Sequence, residues 1–159
     1  MPNSIHKQIL DKVVTTLQLE NDLDHFLDGN IVVATDRRVI EEILPNLPGI
    51  LVLPIESERI MSGSGTNASD DIGYPVGVVI VDGKVDDPLD TDSDFDTKLH
   101  WRQLVIDAFI NKRMSGITGA DVYQCQVMPR AIIEVPMLQA RNLWSSFVVF
   151  VFVARVTRS

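Results

Sequence analysis

Apolar positions along this chain repeat with two different periods, and the switches between them mark out its elements. Near the N-terminus Ile5, Ile9, Val13 and Leu17 recur every fourth residue, with Leu10 and Val14 widening the stripe and Lys7, Gln8, Asp11 and Lys12 left polar. That is the face of an amphipathic helix, and Ser4 stands where an N-cap belongs. The polar stretch 20–25 ends it or carries a short second turn. A second stripe, Trp101, Leu104, Val105, Ala108 and Phe109, predicts a helix starting after Thr97 and stopped by Gly116. Lys112 and Arg113 suit the negative end of that helix.

Short apolar runs predict strands at 31–34, 50–53 and 74–81, and a short helix over 37–44 stopped by Pro45 and Pro48-Gly49. Residues 121–127 and 130–135 flank Pro129. That stretch is expected as one long strand broken by a bulge, or as a strand at a sheet edge. The last strand, Ser146 to Arg155, is the strongest signal, because Phe147 to Ala154 are all apolar. Phe147, Val149, Val151 and Val153 take one face; Val148, Phe150, Phe152 and Ala154 take the other. A strand covered on one side alternates apolar with polar. Here both faces need cover, and one is expected against Ile9, Val13, Leu104, Val105 and Phe109. The chain offers little helix for the other, which points to a partner subunit; that face is expected to meet the rest of the subunit or the next one.

Two long connections remain, at 57–73, rich in Ser, Gly, Asn and Asp, and at 82–98, which holds seven Asp. The expected fold is a single α+β domain over 1–159. An antiparallel or mixed β-sheet carries two principal helices on one face, in the order α-β-(α)-β-β-α-β-β.

Charge narrows the function classes. The 159 residues carry 22 acids against 14 Lys and Arg, a formal net charge of -8, with a pI near 4.7. A sequence-reading nucleic-acid binder would show a basic stripe instead. The single Cys125 allows no intrachain disulfide, and the N-terminal residues lack the apolar core of a signal peptide, so a reducing cytoplasm is expected. No apolar run approaches the ~20 residues of a membrane helix.

Candidate chemistry is sparse. Asp90, Asp92, Asp94 and Asp96 match the alternating acids of a calcium loop, but Phe95 replaces the required Gly and Trp101 the closing Glu. A weak cation site, or a metal-dependent enzyme using these carboxylates, is the alternative to a solvated loop; a two-metal nuclease site would need them on rigid strands. His6, His25 and His100 show no ligand spacing, and Cys125 reads as a small buried hydrophobe. No phosphate-binding or nucleophile-elbow motif is present. Arg141 and Trp144 are candidates for a subunit contact, where both residue types are enriched, with core packing the alternative for Trp144. No catalytic residue, cofactor or metal is assigned.

The N-terminal helix over 5–17, the turn Leu47-Pro48-Gly49-Ile50-Leu51-Val52 and the strand Tyr74-Pro75-Val76-Gly77-Val78-Val79-Ile80-Val81 are followed by an acid-bearing loop and a helix over 99–113. Two closing strands end in Ala154-Arg155-Val156-Thr157-Arg158. This layout resembles the tail terminator (tail completion, or neck) proteins of long-tailed bacteriophages. The resemblance implies a non-enzymatic virion protein whose subunits form a ring, commonly a hexamer, at the head-proximal end of the tail. Such a ring ends the tail tube, joins the head-tail connector and leaves a channel for DNA. Its implied partners are copies of itself, the tube protein, the connector or adaptor protein, and DNA passing without sequence-specific binding. Other neck and tail-end rings share similar folds. The implied location is the virion, with the host cytoplasm during assembly and no membrane. Asp86, Asp87, Asp90, Asp92, Asp94 and Asp96 are then expected to face the lumen or an adjacent ring, where acids would let DNA slide.

Overall fold

The computed structural model describes residues 4–20, 23, 30–35, 48–55, 58–60, 69–82, 92–130, 132 and 144–157. Helix α1 spans Ile5–Gln18, and the Ser4 hydroxyl accepts the Lys7 N–H at 3.1 Å, as an N-cap should. Its stripe of Ile9, Leu10, Val13 and Leu17 is buried against the sheet. Helix α2 spans Asp92–Phe109 and buries Trp101, Val105 and Phe109 in the same cluster. Among the described residues, no helix is long and apolar enough to cross a membrane.

The strands are β1 (Ile31–Val33), β2 (Gly49–Pro54), β3 (Arg59–Ile60), β4 (Ser69–Asp82), β5 (Ala120–Pro129) and β6 (Trp144–Thr157). They form one mixed sheet in the order β1-β2-β4-β6-β5, with β3 paired to β4. Only β1 and β2 run parallel. The architecture is α+β, with both helices on one face. Strands β4 and β6 pair over their whole length, from Ser69 opposite Thr157 to Asp82 opposite Trp144.

The helix-facing side takes Tyr74, Val76, Val78 and Ile80 from β4 and Val148, Phe150, Phe152 and Ala154 from β6. Phe109 of α2 meets Phe150 and Phe152 edge-on, with ring centroids 5.2 and 5.7 Å away. Such contacts add to plain area burial.

The opposite face decides between cover from the rest of the subunit and cover from a neighbour. Val149, Val151 and Val153 are only 4%, 4% and 2% exposed in the single chain, so their burial requires no partner subunit. Part of the reason is visible on β4, whose residues opposite them are Gly77, Pro75 and Gly73. A Cβ at Gly77 would lie 2.7 Å from Ile55 Cδ1 and 2.9 Å from Phe147 Cε2. The missing side chain lets Ile55 and Phe147 lie flat on the sheet.

Both expected loops are shorter. In 57–73, Arg59–Ile60 is strand and β4 begins at Ser69. In 82–98, Asp82 closes β4 and α2 begins at Asp92, not after Thr97. Polar residues enter these elements because ladder and helical hydrogen bonds belong to the backbone, whatever the side chain. Strand β5 lies at the sheet edge, which accommodates Pro129 at its end. Its bulge falls at Tyr123, between Val122 and Gln124, rather than at the proline. The short helix expected over 37–44 lies outside the described residues. Of the strand expected over 130–135, Arg130 and Ile132 are not in a strand, β5 ending at Pro129, and the other positions lie outside the described residues.

Candidate functional site

Helix α2 organises the charged groups. At its N-terminal end stand the acids singled out in the sequence. Asp92, Asp94 and Asp96 belong to its first turns, and Asp96 is exposed. Helical geometry sets alternate residues about 200° apart, so positions 92 and 94 diverge while 92 and 96 share a face. A calcium loop needs its alternating acids to converge, so the helix replaces the backbone that reading required. Among the described residues, no group of three or more His, Cys, Asp and Glu is placed to hold a metal ion. Asp86, Asp87, Asp90 and Arg141 lie outside the described residues.

Trp144 opens β6 and is 3% exposed, so it packs in the core instead of presenting a subunit contact. Its indole ring supports Lys98 from α2, whose Nζ lies 5.8 Å from the ring centroid and 3.5 Å from Asp82 Oδ2. A buried ammonium needs such partners, and the aromatic face and carboxylate supply them. Among the described residues, none accepts the buried Trp144 indole N–H. One helical turn on, Arg102 is buried and donates to Ser146 Oγ at 2.6 Å, Phe147 O at 3.0 Å and Arg130 O at 2.9 Å. It ties α2 to β6 and to the exit of β5.

The last turn of α2 holds no basic residue, contrary to the expectation for Lys112 and Arg113, which follow the helix in the next turn. Asn111 turns the chain with φ at 56°, in the left-handed region, and donates its N–H to Cys125 O at 3.2 Å. Met114 N–H then donates to Val122 O at 3.0 Å. Pinned to β5, this turn carries Lys112 and Arg113 towards Lys12 of α1. Together they rim a cavity of about 110 Å³ floored by Phe109 and Phe152. Arg113 Nη2 forks onto exposed Asp121 at 3.1 and 3.0 Å. Lys12 and Lys112 pair with no carboxylate of a described residue. Spacing along the chain puts Lys112 and Arg113 at a helix end and leaves Lys12 polar on α1; nothing local signals that positions 100 residues apart converge on one cavity.

A third charged group braces the sheet. Asp71 on β4 is 2% exposed and accepts from Arg155 Nε at 2.9 Å and Nη2 at 3.1 Å, and from the Tyr123 hydroxyl at 2.8 Å. Three strands are thus cross-linked through one carboxylate. Burial first, then the hydrogen bond and charge of Asp71, hold the Tyr123 phenol above its ordinary pKa, with Arg155 opposing.

Cys125 is fully buried, and burial pushes its thiol up to about 12. At neutral pH it carries almost no thiolate, the form a nucleophile needs. His6 Nε2 lies 3.0 Å from Pro75 O, its ring edge-on to Tyr74 at 5.5 Å. His100 is exposed, and His25 lies outside the described residues. Neither a protein-family model nor a curated protein matches this chain.

Proposed function

We propose that the chain is a non-enzymatic structural protein of a bacteriophage virion, forming a ring at the head-proximal end of the tail. The ring, hexameric in this reading, ends the tail tube, joins it to the head-tail connector and leaves a channel for DNA. The observation that carries the reading is the architecture: a small mixed sheet with both long helices on one face, in the order that resembles the tail terminator proteins. Charge supports it. A subunit with net charge -8 can line a channel without gripping the phosphates that pass. Charged groups at both ends of α2 offer contacts to neighbours around a ring or in adjacent tiers. No catalysis and no cofactor belong to this reading; its partners are copies of the chain, the tube protein and the connector.

Electron microscopy of virions carrying a gold-labelled tag on this chain tests it. Label at the head-tail junction is the expected result. Label at another neck or tail-end tier would move the chain to a different ring or adaptor, and label on capsid faces or fibres would reject the reading.

A further inference from the structure

We infer that the cavity between α1 and the turn after α2 is a binding site for a small organic anion, a carboxylate carrying a short apolar group. The inference goes beyond the proposed ring and does not depend on it.

The walls of the cavity are fixed from several sides. Gln8 of α1 donates to Thr118 O at 3.2 Å and accepts the Thr118 N–H at 2.8 Å, which pins the loop after α2 to α1. Asn111 and Met114 of the same segment donate their N–H groups to β5. A site held this way needs no ordering when a ligand enters, which spares one cost of binding. Gly116 turns with φ at 81° beside Lys12, and a Cβ there would stand 3.9 Å from the Lys12 Nζ. The absent side chain leaves that ammonium open.

Two kinds of surface meet within about 110 Å³. Phe109, Phe152 and Met114 are buried and make the floor, while Lys12, Lys112 and Arg113 stand at the rim. Arg113 is engaged by Asp121; Lys12 and Lys112 pair with no carboxylate of a described residue. The end of α2 opposes an anion with roughly half a negative charge. Its carbonyls are in part already taken, Ile106 O by the Ile110 N–H at 3.0 Å and Phe109 O by the Lys112 N–H at 3.1 Å. Three cations outweigh the remainder.

Bare phosphate or sulfate matches this surface poorly. Its oxygens point in every direction, and those facing the phenyl rings would lose water and gain no donor. A carboxylate is polar at one end only, so its head can meet the lysines while its carbons cover the rings. The volume lies below the ~150 Å³ that admits a benzene ring, so head and tail together come to about six heavy atoms, as in butyrate. The same group is presented by a free short-chain acid or by the free C-terminus of a peptide ending in a small apolar residue.

NMR titration of the full chain, 13C-labelled at its methionine methyls, with sodium butyrate at constant ionic strength tests the site, because Met114 reports from the floor. A saturable shift of the Met114 methyl with a Kd of about 1–10 mM is expected for so few atoms and exposed lysines. Acetate should bind about ten-fold more weakly, each buried methylene being worth a factor of about four. Hexanoate outgrows the floor and should gain nothing over butyrate. Lys12→Gln with Lys112→Gln should weaken butyrate about five-fold; neither side chain belongs to the core, and a thermal melt establishes that the variant folds. A valine-terminated peptide and its C-terminal amide identify the source. Competition by the acid form alone assigns the site to a chain terminus, and butyrate binding without such competition assigns it to free acids.

No Met114 shift up to about 100 mM butyrate overturns the inference. So does 1-butanol or butylamine binding as tightly as butyrate, which would show an apolar void blind to charge. Phosphate binding more tightly than butyrate would leave only a basic rim, and butyrate binding indifferent to the lysine replacements would remove the rim's part; either outcome rejects the site as described.

Discussion

Asp71 shows how a single residue sets the behaviour of its neighbours. Its carboxylate is buried, yet it is matched by a guanidinium and a phenol from two other strands. The bulge in β5 leaves Tyr123 outside the ladder, and its hydroxyl reaches Asp71. Because the folded phenol is held above its ordinary value of 10.0, the folded chain retains that proton more tightly than the unfolded one. The resulting stability is complete below the unfolded pKa and is lost as pH rises through the folded one. Asp71→Asn removes the charge and should move the Tyr123 titration, followed by phenolate absorbance, downward. Part of the elevation should persist, since burial is its first cause. An unmoved titration would mean that Asp71 does not govern this phenol.

At the scale of elements, β6 is the strand on which both layers depend. Phe150 is fully buried beneath Phe109, whereas Val151 is 4% exposed on the opposite face. Phe150→Ala should cost about 3–5 kcal/mol, the usual loss for truncating a buried aromatic. Val151→Asp places an unpaired carboxylate in a closed face and should cost more than about 3 kcal/mol. Denaturant unfolding of the isolated chain measures both. If Val151→Asp melted like the parent and only failed to assemble, that face would belong to a partner after all. Helix α2 is held to this strand by Arg102, so damage to β6 also loosens α2.

For the whole molecule, charge bears on whether the proposed ring could pass DNA without gripping it. A net charge of -8 opposes the phosphate backbone, whose counterion release otherwise drives binding. No retention of a labelled duplex is expected at about 10 µM protein in ~0.15 M salt. Binding that weakens steeply with salt would show a basic track and argue against a passive channel. The cavity rimmed by Lys12, Lys112 and Arg113 is too local to reverse this, because phosphate binding needs several contacts in a row.

The sequence by itself determined the elements that depend on neighbours a few residues away. Spacing of Ile5, Ile9, Val13 and Leu17 located α1, Ser4 marked its cap, and the unbroken run from Phe147 to Ala154 made β6 a strand flanked on both sides. These signals are legible because helix and strand periods are written in consecutive residues. Only the tertiary structure decided how the faces were covered. Gly77, Ile55 and Phe147 meet through packing that no local pattern records, and their contact shows the second face of β6 closing within the chain. The sequence places the acids of 92–96 in a long connection, whereas backbone hydrogen bonding makes them the start of α2. The basic cavity was hidden for the same reason as the Gly77 contact. Lys12 and Lys112 become neighbours only after two helices dock on one sheet, and docking is a property of the whole packed core.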